Sequence, residues 1–474
     1  MTAITDLSAL DLSKAVHERT LSCREVMAAY LERIGKINPA INALVSLRDG
    51  DSLLAEAAER DAELDAGRSR GWMHGLPHAV KDLSEASGIP CVYGSPIYRD
   101  FVPDFDDIQV ERIRAQGAIF IGKTNTPEMG LGSHTYNPVF GPTRNPHDAS
   151  KSAGGSSGGA AAALAAHLVP VADGSDMMGS LRNPAGFNNV VGFRPSAGRV
   201  PSLGGELYLG SLAVNGPMGR TVADVAALLA VQSGYDGRDP LSLQQEHLLP
   251  DPDADLGGAR IGWLGDYGGY LPFEEGVLEL CRDSLSVFRD MGCAVSDVTQ
   301  HFDMAKLWQS WRTLRHFLVA GGQRGDYADP ARRALMKPEM IWEVEHGNRL
   351  TGPEVFEASA IRSDWYRHVC GLFRDYDFLI LPTAQVFPFD VTLDWPKVVA
   401  GRAMDTYHRW MEVVIGPTMA GLPVAAMPAG FGANGLPAGI QIIGPPRGDR
   451  NVLQAASAYE ARIDWLKRAP VLTI

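Results

Sequence analysis

Asp107-Ile108-Gln109-Val110-Glu111-Arg112-Ile113-Arg114-Ala115-Gln116-Gly117-Ala118-Ile119-Phe120-Ile121 sets the fold class. Asp107 to Ala115 reads as a helix, and Ala118 to Ile121 as a short, fully apolar strand. The alternation extends in both directions. Ala79-Val80 precedes it and Leu168-Val169-Pro170-Val171 follows it, with a second helical stretch from Ala160 to Ala166. Short buried strands between helices predict an α/β layer architecture.

Further out, the first 70 residues read as helices. Ser22-Cys23-Arg24-Glu25 is a capping box, and behind it Val26, Met27, Tyr30, Leu31 and Ile34 recur at helical spacing. Asp51 to Leu64 is a second amphipathic run, and Gly67 to Trp72 reads as a turn. Arg260 to Leu264 and Ala294 to Val298 bracket a helix from Glu275 to Asp290, a βαβ-like unit. Asp377 to Pro382 and Ala438 to Ile443 are further strand candidates. Residues 238–256 are polar and proline-bearing and read as a long connection. No linker cuts the chain cleanly, so residues 1–474 are expected to form one large domain.

The chain has 474 residues, 45% of them hydrophobic, enough for a sizeable core, and its formal net charge is −13. An acidic surface repels phosphate backbones, so nucleic acid is not an expected partner. The five cysteines, Cys23, Cys91, Cys281, Cys293 and Cys370, form no CxxC pair and read as reduced thiols. Met1 to Ala15 shows no basic segment followed by an apolar run. The Ala-rich stretch 160–172 is too short and too interrupted to span a bilayer. The sequence therefore predicts a cytoplasmic protein with no membrane partner. The histidines make no HExxH or other ligand spacing, so no metal or other cofactor is expected. His78 and His134 read as satisfied structural histidines.

Three motifs carry the chemistry. They are Gly75-Leu76-Pro77-His78-Ala79-Val80-Lys81-Asp82, Gly154-Gly155-Ser156-Ser157-Gly158-Gly159 and Asp176-Met177-Met178-Gly179-Ser180. Together they resemble the signature of the amidase signature family of serine hydrolases. The resemblance extends through residues 117–128, 140–146 and 192–196, and through Ala420-Gly421-Leu422-Pro423 and residues 435–441. It is weak over 240–375, inside the stretch of about 240–410 expected to shape the substrate pocket.

The resemblance implies a three-layer α/β/α fold around a central mixed, twisted sheet. It implies a triad of Lys81, Ser156 and Ser180, with a cis bond between Gly155 and Ser156. Ser180 is the expected nucleophile, Ser156 the proton relay and Lys81 the base, neutral at the outset because burial disfavours its charge. The backbone of Met177, Met178, Gly179 and Ser180 is the expected oxyanion hole. Gly155, Ser157, Ser175, Asp176 and Arg182 are expected to support it, Asp176 and Arg182 by bracing the loop. Two positions depart from the family pattern. Met178 stands where a glycine is usual, and Ser175 where a threonine is usual. Met178 is expected to sit in a backbone conformation that a non-glycine tolerates and to line the acyl pocket.

The activity implied is hydrolysis of a small-molecule amide. The aromatic-rich variable half favours a hydrophobic or aryl amide, and the same acyl chemistry extends to carbamates (urethanes) and esters. A homodimer is among the assemblies the resemblance implies. Trp308, Trp311, Trp342, Trp365, Trp395 and Trp410 fall in the variable half, with core packing as the default and a place in an aryl-binding cleft as the alternative.

Three other readings stand beside this one. Gly155-Ser156-Ser157-Gly158-Gly159 also fits GxSxG, which makes Ser157 the nucleophile. Residues Asn145 to Ala153 before it show no strand character, against that elbow. The second is the glutaminase subunit of a tRNA-dependent amidotransferase. Such subunits carry an acidic residue before the Ala-Gly-Leu-Pro segment to grip the glutamine amine. Here an ungapped reading puts Met411 at that position and Glu412 one residue off, and Trp342 to Leu350 lacks an arginine-rich pattern. The third is a binding protein made inactive by Met178.

Overall fold

The computed structural model describes residues 3–251 and 254–470. The first helices form as their caps dictate. Ser22 Oγ accepts from the Glu25 amide at 3.1 Å and the Glu25 carboxylate accepts from the Ser22 amide at 2.8 Å, opening the helix Cys23–Ile41. Its Val26, Met27, Tyr30 and Ile34 side chains are buried in one cluster with Leu53 and Ala57 of the helix Gly50–Asp65.

Eleven strands build the two larger sheets. They are β1 (Leu44–Val45), β2 (Pro77–Lys81), β3 (Ile119–Thr124), β4 (Val171–Asp176), β5 (Val191–Arg194), β6 (Val214–Gly219), β7 (Arg260–Trp263), β8 (Ala294–Asp297), β9 (Phe378–Pro382), β10 (Val424–Phe431) and β11 (Pro437–Ile443). The central sheet has eight strands in the order β8-β7-β9-β11-β10-β5-β6-β4. β7 pairs in parallel with both β8 and β9, and the remaining neighbours run antiparallel. β1-β3-β2 forms a second sheet. It meets β4 where the Lys81 backbone N–H donates to the Asp173 carboxylate at 3.2 Å.

Side-chain alternation shows that both faces of the central sheet are covered. Phe378, Ile380, Ile440 and Ile442 join the helices Val222–Gln232, Val277–Asp283 and Asp449–Glu460 in one core. Their neighbours Leu379, Leu381, Val424 and Ile443 join the helices Met304–Ala328 and Gly352–Leu372 in another. Successive strand residues point to opposite faces, so this is a three-layer α/β/α arrangement with a mixed sheet, as the resemblance implies. The parallel pair β7 and β8 brackets Val277–Asp283 and Ser286–Asp290, the βαβ unit read from the sequence with its helix divided in two.

The structure corrects two local readings. The strand after the Ala-rich helix starts at Val171, not Leu168. His167, at φ 57°, turns the chain out of that helix first. Asp148–Ser152 is a strand after all, paired antiparallel with Arg144–Asn145 in a short ribbon. Its polar side chains obscured it because this ribbon is half exposed and needs no apolar face. All five cysteines are free thiols, and Cys370 alone among them is not buried. Among the described residues no helix is long and apolar enough to cross a membrane.

Candidate active site

β2 delivers Lys81, its last residue, into the interior. Lys81 Nζ lies 2.9 Å from Ser156 Oγ, 2.8 Å from Ser157 Oγ and 3.0 Å from Ser175 Oγ. The side chain is buried, and burial lowers its pKa to about 7, against the opposing pull of the Asp173 and Asp176 carboxylates.

Ser156 follows a cis peptide bond to Gly155. Contact favours glycine at 155, since a Cβ there would sit 3.0 Å from the His134 backbone nitrogen. Two residues beyond Ser157 close contact recurs. A Cβ at Gly159 would lie 2.3 Å from the Asn125 backbone nitrogen, so the helix Gly158–Ala165 seats directly on β3's end. That helix is buried all round, consistent with its alanine composition.

Ser180 comes from the loop after β4. Ser180 and Ser156 border one cavity of about 250 Å³, whose apolar walls include Leu83, Leu131, Met177, Met178, Leu318 and Met340. Among the described residues no hydrogen bond joins the two hydroxyls, and Ser156 Oγ has Lys81 as its partner. Ser157 does not border the cavity. It sits behind Ser156, with its N–H donating to the Ser180 carbonyl at 3.2 Å.

Asp176 organises the serine loop. It accepts the Gly179 N–H at 2.8 Å and the Leu181 N–H at 3.2 Å, and is clamped by Arg182 at 2.9 Å and Arg194 at 3.0 Å. Burial alone would raise its carboxyl, but the two guanidinium groups overcome that and hold it well below the usual carboxylate range. Arg182 also reaches the Val414 carbonyl, Gln441 and Thr418, and makes no contact with the cavity.

The loop accommodates Met178 without strain. Gly179 takes the left-handed conformation at φ 81°, and Met178 is not among the described non-glycine residues at positive φ. One of the four expected oxyanion donors is already engaged, because the Gly179 N–H bonds to Asp176. Among the described residues, the N–H groups of Met177, Met178 and Ser180 have no acceptor.

The histidines of the signature stretches are held by structure. His78 Nε2 is 3.0 Å from Asp173, and His134 bonds Ser152 at 2.6 Å and the Val391 carbonyl at 3.1 Å. None of the six variable-half tryptophans borders the cavity. Trp308, Trp311, Trp365 and Trp410 are buried in the core, while Trp342 and Trp395 flank a separate surface cleft. The cavity's apolar surface comes mainly from leucine and methionine instead.

Several cavity residues carry no signal in the sequence. Arg315, Leu318 and Gln323 project from one helix, and Tyr407 and His408 from a distant loop. Arg315 donates to Glu343 and to the Tyr407 hydroxyl, each at 2.7 Å. They belong to no motif, and only packing of Met304–Ala328 over the serines brings them in. Glu412 stays outside. It accepts from Tyr270 and Arg409, both at 2.7 Å, and burial raises its carboxyl to about 7. Among the described residues no Asp or Glu borders the cavity, and no cluster of three or more His, Cys, Asp or Glu is placed to hold a metal.

Comparison with known proteins identifies the family. The Amidase family model matches residues 25–453. The chain is 34% identical to an acylamidase of Rhodococcus erythropolis over 478 residues, 98% of this chain and 97% of that one. It is 30% identical to a glutamyl-tRNA(Gln) amidotransferase subunit from Alkaliphilus metalliredigens, over 98% of each chain. Among solved structures, a bacterial aryl acylamidase of the amidase signature family superposes with a TM-score of 0.90 at 29% identity, covering 97% of this chain and 98% of that one.

Proposed function

The chain belongs to the amidase signature family of amide hydrolases, and we propose that it cleaves a hydrophobic or aryl amide through a Ser180 acyl-enzyme. The observation that carries this reading is the Lys81–Ser156 contact of 2.9 Å at the edge of a cavity that Ser180 shares.

Each residue then has a defined task. Neutral Lys81 Nζ takes the proton of Ser156 Oγ as Ser156 takes that of Ser180. Ser180 Oγ forms the bond to the carbonyl carbon, and the carbonyl oxygen becomes the oxyanion. The N–H groups of Met177, Met178 and Ser180 receive it, one such donor contributing about 2.7–4 kcal/mol. The Ser156–Ser180 hydrogen bond closes in the substrate complex, since catalytic hydrogen bonds tighten there. On collapse the C–N bond breaks, and Ser156, resupplied by Lys81, protonates the leaving nitrogen. Water then adds to the ester by the same relay and releases the acid. Carbamates and esters present the same carbonyl flanked by a leaving heteroatom and fall within this chemistry.

The cavity's composition supports an acylamidase over a glutaminase. Holding glutamine's ammonium requires a carboxylate, and Glu412 is turned toward Tyr270 and Arg409. The test is peptide-mapped mass spectrometry after treatment with a fluorophosphonate. A single adduct on Ser180, missing in Ser180→Ala, is expected. An adduct on Ser157, or none on Ser180, overturns the assignment.

A further inference from the structure

Arg315 is buried, with only 5% of its surface exposed, yet it borders the cavity. A guanidinium has five N–H donors. Nε bonds Glu343 at 2.7 Å and Nη2 bonds the Tyr407 hydroxyl at 2.7 Å. Nη1 faces only the Met177 thioether, at 3.1 Å. A thioether is a weak acceptor, so this N–H group of a cavity-lining cation lacks an oxygen partner. Gln323, farther along the same helix on the cavity wall, has a buried Oε1 that also lacks a partner. A buried guanidinium N–H held only by a thioether and an unpartnered glutamine oxygen, both on one cavity-lining helix, mark a place built for a polar feature of the ligand.

We propose that this wall is an oxygen-acceptor subsite, in which Arg315 Nη1 donates to a second, uncharged oxygen of the substrate and displaces the Met177 sulfur. The inference rests on the acylamidase reading and adds its substrate class: amides bearing a ketone, ether or carbamate oxygen besides the scissile carbonyl. Charge balance favours an uncharged acceptor. Arg315 is matched one to one by buried Glu343, whose other contacts are His316 at 2.5 Å, the Tyr407 hydroxyl at 2.7 Å and His408 at 3.6 Å. A substrate carboxylate would therefore leave an uncompensated negative charge in the cavity. The thioether of Met177 is flexible enough to vacate the donor.

The test compares three anilides of matched length: a keto-acyl chain, its hydrocarbon isostere and its terminal carboxylate. Wild type is expected to favour the keto compound over the hydrocarbon by ~10–100-fold in kcat/KM, the range for a hydrogen bond to a charged donor. Met177→Leu, which removes the competing sulfur, is expected to enlarge that ratio. Arg315→Met/Glu343→Gln removes both charges together and is expected to bring it within ~3-fold of unity. The ratio is the readout, so a general loss of rate in a variant does not mimic the effect. Equal use of the keto and hydrocarbon anilides by wild type, persistence of the preference in the double variant, or a best rate on the carboxylate overturns the subsite. Calorimetric binding of the keto and hydrocarbon amides to Ser180→Ala reads the same ratio without turnover. A subsite preference there with no Ser180 labelling in wild type would overturn the catalytic reading alone.

Discussion

Lys81 sets a pH dependence that can be worked out in advance. Its ammonium is buried, and the move from the ordinary 10.5 to about 7 corresponds to about 5 kcal/mol favouring the neutral form over the charged one. A lysine at its ordinary pKa would be only about 0.3% neutral at pH 8, whereas this one is about 90% neutral, a gain of about 300-fold in competent base. The expected profile of kcat/KM for an uncharged anilide rises tenfold per pH unit below about 7 and levels off above pH 8. Asp173 opposes the shift, so Asp173→Asn should move the rising limb to lower pH. Lys81→Met should lose the limb and about 10²–10⁴-fold in rate. The assay is initial-rate hydrolysis from pH 5 to 10, with circular dichroism to verify folding at each point. A profile flat across pH 6–8, or one still rising at pH 10, would refute the assignment of a buried neutral lysine as base.

Other consequences follow from the same geometry. Met178 is 5% exposed and borders the cavity, so Met178→Gly should lower kcat/KM for hydrophobic acyl chains by about 10-fold while small acyl chains change less; unchanged selectivity in a chain-length series would contradict a role in the acyl pocket. Asp176→Asn leaves Arg182 and Arg194 buried without their counter-charge and should cost about 3–5 kcal/mol in urea unfolding. Because the folded Asp176 carboxyl ionises below its unfolded value, the stabilisation it supplies is complete above the ordinary carboxylate pKa of about 4 and lost as pH falls below it. That acid-side loss should be absent from the variant's stability profile. Gly159→Ala drives a Cβ to 2.3 Å from the Asn125 backbone and should cost about 1–3 kcal/mol, measured as a lowered thermal midpoint.

The residues of the candidate site that the structure brings together were legible because they sit in short motifs. Gly179 before Ser180 answers a left-handed turn of its own, whereas Gly155 and Gly159 answer close contact with backbone at His134 and Asn125, which the motif anticipates without naming the partner. Strands such as Phe378–Pro382 were legible because burial on both faces demands unbroken apolar runs. The ribbon Asp148–Ser152 was not, because a half-exposed hairpin carries no such pattern. The tryptophans followed their default reading: Trp308, Trp311, Trp365 and Trp410 fill the layer between helices and sheet, and none of the six borders the cavity.

Residue order alone was therefore enough for the α/β class, for the lysine and serines of the signature, and for the acidic, cysteine-poor character of the chain. What the cavity presents to a substrate came from packing. Arg315 and Tyr407 are 92 residues apart and meet at 2.7 Å because the long helix Met304–Ala328 lies across the serine loop. By contrast, the bond that engages the Gly179 N–H is local to its motif, from Asp176 three residues before it at 2.8 Å. A motif records what its own backbone requires, whereas the charge, depth and lining of a cavity arise from side chains that meet only when distant elements close on one another.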